Sequence, residues 1–228
     1  MCQRAQQLEL RPRTWGGRRR GAGRKPSPGR RAVPHRRRPA HDPRCPAHVT
    51  LRACAGLSSL RAHEVFPTVR AALANASSDA FRLLHFSVQA DHLHLLVEAD
   101  APGGLRRGIQ GLAIRVAKAV NRALRRRGTV WADRYHARRL ATPREVRHAL
   151  VYVLQNWRKH LPGARGLDGR SSAPWFTGWR TAVTRAAGIA PVVTARTWLA
   201  RVGWRRHGPL GVDEHPRVRR SRRGIARS

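Results

Sequence analysis

His92-Leu93-His94 begins the apolar run that continues through Leu95-Leu96-Val97. Side chains alternate across an extended strand, so residues two apart leave from one face. Two imidazoles are thereby aimed at one point, as at the start of a metal site. Farther along, Tyr152 and Asn156 are four apart, which places them on one face of a helix. Two protein nitrogens alone hold a cation loosely, and the Asn156 amide oxygen, one turn beyond the hydroxyl, is placed to be a third ligand. A Lewis acid beside a tyrosine hydroxyl suits attack on a phosphodiester. The product would be a covalent phosphotyrosine, which conserves bond energy for rejoining.

Each group also has an ordinary reading. A His-x-His pair can be two polar strand residues, and Tyr152 can pack its ring while wetting its hydroxyl. Asn156 can simply hydrogen-bond near a helix end. Asp91 and Glu98 flank the histidines and would either hold the imidazoles from behind or merely terminate the strand. His148, one turn before Tyr152, could assist proton transfer or sit exposed on its helix. Tyr135 is the rival nucleophile, but it falls in a strand-like run and lacks a partner at helical spacing.

These residues need elements to hold them. The alternating segment Ala47 to Ala53 reads as a first strand. Pro67 opens a helix whose buried stripe is Val69, Ala72, Leu73 and Ala76. Two strands follow, Phe81 to Val88 and His92 to Glu98, and the break between them allows only a tight antiparallel hairpin. The next helix carries the seam Leu105, Ile109, Leu112, Val116, Val120 and Leu124, with Gly128 as its stop. Thr129 to Leu140 reads as another strand, on which Arg134 and Arg138 would share a face, either to contact a nucleic-acid strand or as solvated arginines on a sheet edge. Thr142-Pro143-Arg144-Glu145 is a capping box. It opens a helix that buries Val146, Leu150, Val153 and Trp157, leaves Tyr152 and Asn156 on the flank, and stops at Pro162. The order β-α-β-β-α-β-α predicts an α+β, ferredoxin-like fold with an antiparallel sheet and its crossover helices on one face.

Residues 1–44 are rich in Arg, Gly and Pro and are expected to form a disordered basic arm. Residues 45–162 would be the catalytic domain. Residues 163–228 would form a Trp-rich C-terminal extension, wrapped on that domain and ending in a basic tail. Thr197 to Val202 suggests a short helix there. Lys and Arg total 47 against 12 acidic residues, a net charge of +35, which calls for a polyanionic partner. Lysine occurs only at Lys25, Lys118 and Lys159, so the positive charge is almost all guanidinium. Cys2, Cys45 and Cys54 follow no zinc or disulfide spacing. No apolar stretch nears the roughly 18 residues of a membrane span, and no secretory signal is evident. A cytoplasmic, nucleoid-associated protein is expected.

In motif order the chain resembles a known family. The carriers are His48-Val49-Thr50-Leu51-Arg52, Asp91-His92-Leu93-His94-Leu95-Leu96-Val97-Glu98, Asn121-Arg122, Gly128 to His136, and Val151-Tyr152-Val153-Leu154-Gln155-Asn156. Over about residues 44 to 160 it is similar to the HUH-superfamily transposases with a single nucleophilic tyrosine, especially the REP-associated tyrosine transposases of the insertion sequence 200/605 type. The resemblance implies His92 and His94 as ligands of magnesium or manganese and Asn156 as the further polar ligand. It implies Tyr152 as the nucleophile that keeps a 5′-phosphate and releases a 3′-hydroxyl. It also implies single-stranded DNA with hairpin-forming repeats as the partner, and a monomer or homodimer. Asp91 replaces a frequent Asn, and Trp157 replaces the proline that often follows Asn156, so the helix is expected to run longer. The alternative is a non-catalytic DNA-hairpin or RNA-binding protein derived from the same fold.

Overall fold

The computed structural model describes residues 40–159, 163, 165–184 and 186–216. The basic arm, apart from its end at residues 40–44, and the tail beyond residue 216 lie outside the described residues. Strands β1 (Ala47–Arg52), β2 (Phe81–Val88), β3 (His92–Ala99) and β4 (His136–Arg139) form one sheet. Its order is β2-β3-β1-β4, and every neighbouring pair is antiparallel. Helices α1 (Phe66–Ala74) and α2 (Gly104–Ala123) are the crossovers, and α3 (Pro143–Gln155) follows β4. This is the ferredoxin-like α+β plan that the element order predicts.

The two faces of β3 divide the molecule. Leu93, Leu95 and Val97 join Val49 and Leu51 of β1 and Phe86 and Val88 of β2. Val69 and Leu73 of α1 and the α2 seam Ile109, Leu112, Val116 and Val120 close over them. The contact is tight where α2 crosses β2: a Cβ at Gly108 would lie 2.1 Å from the Phe81 ring. On the opposite face Leu84 and Leu96 meet Val146, Leu150 and Leu154 of α3. All eight residues of β3 are buried, polar ones included, because both faces are covered.

Three expected boundaries shift. The α2 helix ends at Ala123, and Arg125 rather than Gly128 takes the first left-handed position, with φ 47°. Gly128 (φ 104°) instead turns the following loop, where its carbonyl accepts from Asn121 Nδ2 at 2.9 Å. The strand expected over Thr129–Leu140 is interrupted: only the four residues of β4 pair continuously with Ala47–Thr50, and the chain leaves the ladder over residues 133–135. It meets the same edge again only through Ala132 N–H to Arg52 O at 2.9 Å and the bridge of Trp131 with Ala53. Arg134 therefore precedes β4 and shares no strand face with Arg138. The α3 helix opens as its capping box predicts, with Glu145 N–H donating to Thr142 Oγ1 at 3.2 Å. It does not run on to Pro162: it ends at Gln155 and tightens into a 3₁₀ turn over Asn156–Lys159.

Residues 165–216 complete the second face. Ser172 N–H donates to Phe86 O, and Val88 N–H donates to Arg170 O, both at 2.9 Å, so this segment covers the outer edge of β2. Phe176, Trp204 and Leu210 extend the core beneath α3. Glu98 does not hold an imidazole. It is fully buried and accepts from Arg82 Nε at 3.1 Å, from the Arg196 and Thr197 amides at 2.9 and 3.0 Å, and from Thr197 Oγ1 at 2.6 Å. Thr197 in turn caps the short helix α4 (Trp198–Arg201). Among the described residues no helix is long and apolar enough to cross a membrane.

Two consequences are measurable. Glu98→Ala removes the acceptor of four hydrogen bonds while Arg82 keeps Asp100, and should cost about 1–3 kcal/mol in urea unfolding; wild-type stability would refute the anchoring role. His85, wedged between Phe176 and Ser172, is driven by burial to a pKa of about 4. The unfolded chain takes up this proton below about pH 6.5 and the native state only near pH 4, so stability falls as pH drops across that window. The loss attributable to this ring is up to about 3 kcal/mol. Unfolding curves at stepped pH should show a shallower loss for His85→Gln.

Candidate active site

The site grows from strand register. Thr50 of β1 stands opposite His94 of β3 on one side and His136 of β4 on the other. His48 stands opposite Leu96 and Arg138. Residues directly opposite share a face, so His48, Thr50, His92, His94, His136 and Arg138 all project to the side that α3 covers. Onto them α3 lowers Tyr152, which is half-buried on the flank of its apolar stripe.

The rings form one cluster. His92 and His94 centroids are 4.6 Å apart, and the Tyr152 ring lies 4.9 Å from His94, edge to face. His48 is 5.3 Å from His94 and 5.4 Å from Tyr152. The structure thus brings together three of the residues singled out from sequence and adds His48 and Thr50. Alternation along Ala47–Arg52 put those two on one face, but only the strand order sets them beside β3. Tyr135 packs against the core cluster of the other sheet face. His148 is exposed.

Both β3 imidazoles are held from behind. His92 Nδ1 lies 2.6 Å from Asp91 Oδ1, and the other Asp91 oxygen accepts from Arg52 Nη1 at 2.5 Å. Burial alone would raise the Asp91 carboxyl, but the bond from His92 and the charge of Arg52 leave it below its ordinary pKa. His94 Nδ1 lies 3.2 Å from Thr50 Oγ1. Engaging Nδ1 fixes ring orientation and makes Nε2 the nitrogen that could ligate a metal. Asn156 follows at the end of α3, 1% exposed, and among the described residues its Nδ2 has no hydrogen-bond partner. Its neighbour Gln155 turns the other way and donates to Val212 O at 2.6 Å.

The surrounding electrostatics favour a neutral His48 and an anionic visitor. Desolvation, then His136, Arg138 and Lys159, lower the His48 pKa to about 4. Burial raises the Tyr152 phenol above its ordinary value. Lys159 Nζ sits 4.0 Å over the Tyr152 ring, a contact that spacing did not reveal because it forms across the 3₁₀ turn. Arg138 is exposed and paired with Glu145 Oε1 at 2.5 Å. Arg134 is exposed in the loop before β4. Among the described residues no three His, Cys, Asp or Glu side chains converge as a metal cage. The residues that could hold a cation are His92 and His94, with the Asn156 amide at the end of α3 as a further candidate donor.

Residues 44–156, about half of the chain, match the family model of the IS200-like transposases. That segment belongs to the IS200-like transposase family, and it contains the whole of the cluster but Lys159. A solved structure of a REP-associated tyrosine transposase bound to a REP hairpin has 17% identity and a TM-score of 0.46, covering 57% of this chain and 75% of that one. No curated protein matches the chain in sequence.

Proposed function

We propose that this transposase-family protein cleaves and rejoins single-stranded DNA by transesterification through Tyr152. The observation that carries the reading is the Tyr152 ring standing 4.9 Å from His94 within a cluster drawn from β1, β3 and α3. The Tyr152 oxygen attacks phosphorus as its proton leaves, the bond from phosphorus to the 3′ oxygen breaks, and that oxygen is released as a hydroxyl. The 5′-phosphotyrosine keeps the bond energy, and a second 3′-hydroxyl reverses the exchange. Because the hydroxyl is held above its usual pKa, a group in the cluster must take its proton, and neutral His48 is the nearest imidazole outside the ligand pair.

His92, His94 and Asn156 would hold a magnesium or manganese ion, which when bound neutralises phosphate charge. Asp91 and Thr50 fix the two rings. Arg134 and Arg138, both exposed, would meet the DNA backbone. On motif resemblance, hairpin-forming repeats are the proposed DNA. The tyrosine and the histidines belong to one chain, so a monomer suffices.

Full-length protein incubated with labelled single-stranded hairpin DNA and manganese should give a covalent adduct on a denaturing gel. Tyr152→Phe should abolish it, and Tyr135→Phe should leave it. Loss with Tyr135→Phe alone would reassign the nucleophile, and tight binding with no adduct across several hairpins would favour a binder. Asp91→Ala, which frees the His92 ring, should weaken manganese binding about 10–100-fold by electron paramagnetic resonance. Its cost in stability should stay below about 1 kcal/mol, since this carboxylate is largely exposed. Unchanged manganese affinity would remove Asp91 from the site.

A further inference from the structure

We propose that Lys159 is the anchor for the scissile phosphate, its ammonium leaving the Tyr152 ring to bind a non-bridging oxygen of the phosphodiester under attack. The inference rests on the strand-transfer reading above and adds a residue to it. Lys159 Nζ lies 4.0 Å over the ring of the proposed nucleophile, so a swing of its four-carbon stem reaches whatever the hydroxyl attacks. Lys159 is exposed, and among the described residues it meets no carboxylate. Partial desolvation lowers its pKa. An ammonium that is open to solvent, lies over the nucleophile's ring and has no carboxylate partner among the described residues is available to an incoming anion.

The neighbouring guanidiniums are already engaged. Arg52 binds Asp91, and Arg138 binds Glu145. Arg158, next in sequence, is buried and donates to Gln155, Gly166, Val212 and Asp213. The other groups facing the cluster, His48, His94 and His136, bring no negative charge, and Asp91 is turned toward His92 and Arg52. Composition adds an independent observation. A chain with 47 basic residues uses lysine at only three positions, and one of them is beside the tyrosine. A compact ammonium on a flexible stem transfers from ring to phosphate, whereas a planar guanidinium would tend to stay stacked.

The test uses the full chain as wild type, K159M and K159R. K159M keeps the aliphatic cover on the ring and removes the charge, so a purely structural role survives it. With manganese and labelled hairpin DNA, K159M should slow adduct formation about 100-fold. Overall DNA affinity should stay within about twofold, since the guanidinium surface dominates it. K159R should recover at least about a tenth of the wild-type rate, having the charge without the reach. A wild-type rate in K159M overturns the proposal. The second readout needs no turnover: carbon-13 NMR of dimethylated lysines during titration with inorganic phosphate. The Lys159 signal, identified by its absence in K159M, should move at lower phosphate than the Lys118 signal. Equal or later movement overturns the anchor. If wild type forms no adduct while Lys159 still responds first, the strand-transfer reading fails and the anion site stands.

Discussion

The antiparallel pairing of β1 with β3, with Thr50 opposite His94, is the constraint from which the site follows. It places His48 and Thr50 on the face that carries His92 and His94, and it buries Val49 and Leu51 with Leu93 and Leu95 on the other. A slip of one residue would exchange the two sets, putting imidazoles into the apolar core and leucines at the site. Burial of the α1/α2 face therefore selects the register that assembles the imidazole cluster. Core and chemistry are two faces of one pairing.

The second face cannot close with α3 alone. The apolar stripe of α3 meets Leu84 and Leu96, but the sheet beyond them carries polar side chains and needs further cover. The C-terminal segment supplies it by directed bonds more than by area. Asp168 accepts two bonds from Arg61 at 2.9 Å, Glu98 receives Thr197 and Arg196, and Glu214 takes both arms of Arg147 on α3. With only 12 acidic residues in the chain, their use in these anchors is a notable allocation. Fixing α3 from behind fixes Tyr152 in front of the histidines.

That allocation also shapes the electrostatics of the site. Asp91 is spent on holding His92 and Arg52, and Glu145 on accepting from the Ala141 amide and holding Arg138. The imidazole of His48 is left neutral, and Lys159 lies over the tyrosine ring without a counter-ion among the described residues. A region built this way is positive where a phosphate would sit, and its side chains are held by bonds that face away from that position.

The sequence by itself determined the element order, the sheet type, and the His92, His94 and Tyr152 positions, because each depends on local periodicity. Residues two apart on a strand and four apart on a helix share a face whatever the rest of the chain does. It also determined the capping box and the apolar seam of α2. Tertiary structure decided what depends on distant segments. The ladder between β1 and the segment before α3 is broken over residues 133–135, which left Arg134 in a loop although Trp131 and β4 on either side both meet the β1 edge. Glu98 resembles Asp91 as a flank of the histidines, yet it lies at the far end of β3 and serves Thr197, ninety-nine residues away in sequence. His48 and Lys159 joined the site only when β1 lay beside β3 and the chain after α3 folded back over Tyr152, contacts that no spacing rule along the chain encodes.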